Sequence, residues 1–422
     1  MKAKNFVMLL LCIAICSCEG DTIDSNKVGK PLQLKAEING LTTRASNSSW
    51  DKDDAIGIYM VKAGQTLNSS ALKKNAQYVT SGSSSFEPTD ETDQIIFPFN
   101  GSSVDLIGYY PYRKEITNFS YDVDLSNQSV QADIDLLYST NAKGVSSGNP
   151  NVNMLFTHQL SKIVLNINHG TAFNLNDLSV IISNTATKAS FDLVTGTLSS
   201  ASALGDVELK INIAESIVEA ILLPTNNLSG MHLWFIIGEE FEVYKLSLSE
   251  ALNINAFQKS TKYTYNVTLF GNESVMITGG NITDWTTGLT ENMTADRTEE
   301  NPPLIKGSQR APYTVAEVKN NQGKTGVWVE GFIVGSFDGS INKFLPSADG
   351  AKQNNIALAD TPGETDTGKM IPVNLPSTGS IKAALNIPDN PDNIGKKVLL
   401  KGNLNAYYSV PALRDVKGYQ FK

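Results

Sequence analysis

Past residue 18 this sequence contains no cysteine; Cys12, Cys16 and Cys18 all sit at the very start. The bulk of the chain therefore has no thiol to spare and no disulfide framework. Buried apolar area must hold it together, which its length allows in two or three domains. Histidine is almost as scarce. His158, His169 and His232 lie far apart, and none stands in a metal-ligand spacing. Positive charge is in short supply too: 34 Lys and Arg face 43 Asp and Glu, for a net charge of −9. Nucleic acid, which is bound through clustered Lys and Arg, is not expected as a partner. Few stretches show helical periodicity. What replaces it is short alternating runs separated by Gly, Ser, Thr and Asn, the pattern of a mainly β protein built from sandwiches and barrels.

The start of the chain has a character of its own. Lys2 and Lys4 precede the apolar run Phe6–Ile15, which is too short to span a bilayer and ends in small residues, as a secretory signal does. The ending Ile15-Cys16-Ser17-Cys18 resembles a bacterial lipobox, in which the last cysteine takes the lipid. Cys16 is the poorer acceptor, because bulky Ile15 stands where a small residue is wanted. Residues 1–17 are thus read as a signal peptide, Cys18 as the lipidated first residue, and 18–31 as a tether. Glu19, Asp21 and Asp24 make the tether acidic, which resembles the signal for export to the outer face of the outer membrane in Bacteroides-type lipoproteins. The expected location is a surface-exposed outer-membrane lipoprotein, held to the membrane through its lipid.

Beyond the tether, Leu32-Gln33-Leu34-Lys35-Ala36-Glu37-Ile38 alternates apolar and polar residues and predicts a half-buried strand. Further strands are expected at 55–60, 95–99 and 104–112. The polar, Gly-rich stretch 144–153 suggests a boundary, giving a first unit over 32–150 and a second over 151–289. The second unit's strands are read at 155–167, 180–182, 217–223, 233–237 and 263–269. Residues 290–310, with Pro302-Pro303, read as a linker. In the remainder, 311–422, short helices are expected at 313–320 and 380–386, and strands at 326–334, 355–360 and 397–404. Five or so strands with one internal helix fit a small barrel such as the OB-fold.

Several phrases, in order, resemble the fimbrillin family of Bacteroides-type surface proteins. They are Thr43-Arg44-Ala45 with Trp50-Asp51-Lys52-Asp53-Asp54, Ile107-Gly108-Tyr109-Tyr110-Pro111-Tyr112, Asp135-Leu136-Leu137-Tyr138-Ser139, Phe156-Thr157-His158-Gln159-Leu160-Ser161-Lys162 and Ile282-Thr283-Asp284-Trp285. The resemblance implies two successive transthyretin-like β-sandwich domains. It also implies a mode of assembly: cleavage after an arginine in the loop past the first strand frees that strand with the lipid, and a neighbouring subunit's strand fills the groove. Arg44 and Ala45 match that processing site, and Leu32–Ile38 would be the strand removed. The partners implied are other pilus subunits. The last unit resembles an OB-fold-like domain of unknown function found in surface proteins of the same bacteria. Stalk subunits of the family donate a C-terminal strand; a chain that ends in a separate domain suits a tip or accessory subunit, an adhesin.

The remaining chemistry is thin. With twelve basic and ten acidic residues, 311–422 has no basic stripe. Tyr407 and Tyr408 are the candidate ligand-stacking pair, for a glycan or a protein on a host or bacterial surface, although aromatics there also suit a core. A non-polymerising lipoprotein that binds glycan through this last domain is the alternative reading. Ser70-Ala71-Leu72-Lys73 has the spacing of some acylating enzymes but lacks their partner motifs. Asp122 with Asp124, and Asp133 with Asp135, offer too few oxygen ligands for calcium. The Asn-X-Ser/Thr triplets at Asn47, Asn118, Asn266 and Asn281 reflect composition. No metal, cofactor or catalytic constellation is expected.

Overall fold

A computed structural model of the chain describes residues 29–39, 49–169, 175, 178–201, 203–237, 242–270, 274–283 and 293–422. Alternating burial drives the architecture: strand after strand hides every second side chain. The result is mainly β, in three bodies.

The first body is made from β1 (Gln33–Ile38), β2 (Lys52–Lys62), β3 (Ala71–Ser81), β4 (Ser85–Pro88), β5 (Val104–Tyr110), β7 (Leu137–Ser139) and β8 (Asn151–His158). They pair in the order β1-β4-β3-β2-β5-β7-β8, and β8 returns to β1. The first sandwich is thereby closed along its edges into a barrel. Its core includes Ile56, Ile58, Tyr78, Phe86, Phe97, Met154 and Phe156. The sequence places a boundary at residue 150. The structure keeps β8 in this first barrel, and the chain crosses to the next sheet only at Gln159-Leu160. The glycines and asparagines of 144–153 make the turn into β8, so the composition change marks a loop within the unit.

The second body packs two six-stranded sheets. One contains β10 (Leu178–Asp192), β11 (Thr197–Leu198), β12 (Ala203–Glu208), β15 (His232–Ile237) and β16 (Glu242–Ser247). The other runs β13 (Lys210–Asn212), β14 (Ile217–Leu222), β9 (Ser161–Asn168), β17 (Thr261–Leu269), β18 (Ser274–Thr283) and β19 (Met293–Asp296). The sixth strand of the first of these sheets is β6 (Ser120–Asp124), which leaves the barrel and pairs with β10 from Lys188 to Asp192. Tyr59, Tyr109, Tyr121, Tyr138, Phe191 and Ile221 form one core across the two bodies. Gln128 reinforces it: its amide nitrogen donates to the carbonyls of Leu125 and Ile221, and its amide oxygen accepts from the Ile221 N–H.

The stretch read as a linker is structured. β19 adds to β18. Arg297 then bridges to Tyr244, and the Thr298 N–H donates to the Val243 carbonyl at the edge of the opposite sheet. Arg297–Glu242 (3.1 Å) and Lys245–Glu300 (2.5 Å) ion pairs follow, and Ile305 packs on Ile181, Trp234 and Ile236. Its polar composition reads as a linker because only one side of this segment needs apolar contact.

The third body contains β20 (Tyr313–Thr314), β21 (Val327–Phe337), β22 (Phe344–Leu345), β23 (Asn355–Ala359), β24 (Met370–Asn374), β25 (Lys397–Leu404) and β26 (Leu413–Phe421). Pairing runs β21-β23-β24-β26-β25, and β25 returns to β21, closing a five-stranded barrel. The helix Ser380–Leu385 stands between its third and fourth strands. This is the order of an OB-fold. The helical turn Val315–Val318 is started by a capping box of Thr314 and Glu317.

Candidate functional site

The feature with the clearest mechanical consequence is β1. Its sequence Gln33-Leu34-Lys35-Ala36-Glu37-Ile38 buries Leu34 and Ala36 and exposes Gln33, Lys35 and Glu37; Leu32, just before it, is also buried. Along its whole length it runs parallel to β8, from Gln33 opposite Asn151 to Ile38 opposite Phe156. On its other side it meets antiparallel β4 at only two positions, Leu34 opposite Phe86 and Lys35 opposite Ser85. Main-chain bonds at its ends finish the fit: Leu32 N–H to the Ile95 carbonyl (2.9 Å), Gln33 N–H to that of Pro150 (2.9 Å) and Asn39 N–H to that of Phe156 (2.7 Å). Among the described residues, the ladder order joins β4 to β8 on this side only through β1. Without β1 the barrel is an open sheet with two unpaired edges and an apolar slot between them.

Trp50 lines that slot. Its indole N–H donates to the Ala36 carbonyl at 2.8 Å. The ring is held edge-on by Phe86, Tyr110 and Phe156, with centroids 5.1, 5.3 and 5.5 Å away. Below it the Tyr78 hydroxyl accepts the Ile95 N–H (3.0 Å), and burial pushes that phenol up to about 12. Trp50 sits in the motif quoted from the sequence, but nothing in that motif shows which strand its indole binds. Cys18, expected to carry lipid, and Arg44 and Ala45, expected to form the processing site, lie outside the described residues. The described chain leaves β1 at Asn39 and resumes at Ser49, so Arg44 and Ala45 belong to the connection between β1 and Trp50.

The tyrosine pair is at the loop between β25 and β26. Tyr407 and Tyr408 stack on each other, with centroids 4.0 Å apart and planes 26° apart, and their hydroxyls are hydrogen-bonded at 3.0 Å. Tyr408 is part of the apolar cluster with Phe337, Phe344 and Met370, and the Arg414 guanidinium lies 5.9 Å over the Tyr407 ring. The pair thus spends ring faces on its own chain. Tyr408 and Ser409 both have positive φ, 53° and 61°, as a tight hairpin turn requires.

The other residues singled out from the sequence are dispersed. His158 is buried, with Nδ1 2.9 Å from Asp135. Asp124 pairs with Lys188 at 3.0 Å and accepts from Ser126. The Arg113 guanidinium donates to the Asp133 carbonyl at 2.9 Å, and Lys73 donates to the Thr92 carbonyl. Among the described residues, no three His, Cys, Asp or Glu side chains gather where they could hold a metal ion.

Comparison with known proteins places the chain. Residues 43–285 match the profile of a family described as fimbrillin-like. The chain belongs to that family. A curated relative from Bacteroides uniformis, "Putative fimbrium subunit Fim1C", is 31% identical over 306 residues, covering 97% of that protein and 68% of this chain. A crystal structure of a "putative cell adhesion protein" from Bacteroides uniformis superposes with a TM-score of 0.51 at 29% identity, covering 98% of that chain and 61% of this one. This fimbrillin-like chain is therefore a member of a cell-surface family of fimbrial subunits and adhesion proteins. Residues 313–422 match a separate domain of unknown function.

Proposed function

We propose that this protein is a surface-anchored fimbrial subunit whose β1 is replaced, after cleavage at Arg44, by a strand from a neighbouring subunit. One observation carries the reading: β1 alone closes the first barrel, and it lies between the tether and the connection that contains Arg44. Cleavage there would free tether, lipid and β1 together. The open barrel would then offer main-chain donors and acceptors on β8 and pockets for alternate side chains, which is what strand addition needs.

The far end of the molecule supports an end position in the filament. β26, the last strand, is paired with β25 and β24 inside its own closed barrel. β18 is covered by β19. Neither is a loose strand to give away, which supports a subunit that receives a strand at a tip or accessory position. Arg44→Ala tests the reading. The variant is expected to stay in the outer membrane with its lipid and to be missing from sheared filaments. Filaments containing Arg44→Ala at wild-type level would refute it.

A further inference from the structure

The groove left by β1 is not uniform along its length, and this allows a statement about what fills it. Its first two pockets hold Leu32, whose N–H donates to the Ile95 carbonyl, and Leu34, opposite Val152; the third holds Ala36, opposite Met154. Ala36 has no exposed surface at all, and the Trp50 indole is hydrogen-bonded to its carbonyl. Trp50 cannot retreat, because Phe86, Tyr110 and Phe156 press on it edge-first from within 5.5 Å. Three rings thus fix the indole that holds the main chain at Ala36, the smallest side chain in the strand and one buried in the same core.

The same geometry leaves a polar demand. When β1 departs, the Trp50 N–H keeps its direction and loses its acceptor. An unsatisfied buried donor is costly, so the incoming strand must offer a carbonyl at that point. Every extended strand offers such a carbonyl at alternate residues, and the residue that offers it here, Ala36, is small and fully enclosed by the core that contains Phe86, Met154 and Phe156. The two requirements coincide at one position.

Resting on the strand-replacement reading above, we propose that Trp50 sets the register and selects the sequence of the strand that fills this groove. The occupant is an extended segment of a neighbouring subunit, parallel to β8, with the pattern large apolar–x–large apolar–x–small. Trp50 takes its third inward residue by the carbonyl and admits only Gly, Ala or Ser there. β8 reads direction, through its six registered pairs with β1; β4, with two, contributes little.

The test uses the full chain cut after Arg44, unfolded in guanidinium and refolded with excess labelled peptide. Three peptides spanning Pro31–Asn39 are compared: the native sequence, A36L, and the exchanged L34A/A36L, which keeps composition and apolarity but reverses the order of large and small. Native peptide is expected to bind at least tenfold more tightly than either variant. It should also protect one indole N–H, that of Trp50, from hydrogen exchange, and protection should be missing with A36L. In Trp50→Phe, which keeps a ring and removes the donor, native peptide should bind several-fold more weakly.

Equal binding of the three peptides, with native-like indole protection throughout, would overturn this inference and leave strand replacement standing. No binding of any peptide by the refolded cut chain would instead overturn strand replacement itself. The uncut chain gives a check that needs no refolding partner. Ala36→Leu should lower its thermal midpoint, whereas Gln33→Leu, on the exposed side, should leave it unchanged; equal effects would count against the pocket.

Discussion

At the scale of single residues, buried polar groups are where this sequence commits itself most firmly. Asp105 sits inside β5 with almost no exposure, in a strand that is otherwise apolar. Burial alone would raise its carboxyl. The N–H groups of Gly144 (2.8 Å) and Gly64 (3.0 Å) and the Lys143 ammonium (3.4 Å) outweigh that and hold it below the usual carboxylate range. A depressed folded-state value stabilises above the unfolded value of about 3.9 and is lost as pH falls through the folded-state value. Asp105→Asn is therefore expected to cost about 1–3 kcal/mol near neutrality and to flatten the fall of the urea midpoint below about pH 4. A wild-type acid limb in the variant would contradict this. Nothing in Val104-Asp105-Leu106 announces the two loops that the carboxylate gathers, because the hydrogen bonds that reach both loops, from Gly144 and Gly64, come from main-chain groups. For the same reason the Trp50–Ala36 bond was illegible: a sequence pattern does not show acceptors.

At the scale of elements, local pattern and tertiary partner separate cleanly. β1, the strands β9, β10, β14, β15 and β17 of the second sandwich and the helix Ser380–Leu385 were legible, because alternation or periodicity is a property of the segment itself, whereas β12, β13, β16 and β18 went unread. Partners were less so. β6 reads like any short strand, yet it crosses to β10; β8 alternates clearly, yet a Gly-rich loop before it suggested a new unit. β19 hid within polar sequence. The crossing of β6 is secured by Gln128, three of whose hydrogen bonds tie its loop to Leu125 and Ile221. Gln128→Ala leaves both the N–H and the carbonyl of buried Ile221 short of a partner. A loss of about 2–4 kcal/mol in urea unfolding is expected on that count, and a loss under about 0.5 kcal/mol, the level of an ordinary surface change, would contradict the account. For the candidate site, family resemblance singled out the first strand and the arginine beyond it. That β1 is the barrel's closing strand was not legible, since closure depends on β4 and β8 together.

At the scale of the whole molecule, the three bodies are fastened to one another. The first two share a core. The third is fixed by the segment after β19, where Ile305 covers Trp234, and by a hydrogen bond between Ser129 and Thr325. Ile305→Ser should uncover the apolar face of β10 and β15, and cleavage after Lys306 by a lysine-specific protease should become several-fold faster; an unchanged rate would mean that the third body is held by other contacts.

Whether β1 is a temporary strand is decided by the N-terminal sequence and intact mass of the protein recovered from sheared surface filaments and from outer membranes. A filament-borne chain that begins at Ala45 is expected. A chain found only in membranes, beginning at acylated Cys18 with β1 still in place, would contradict it.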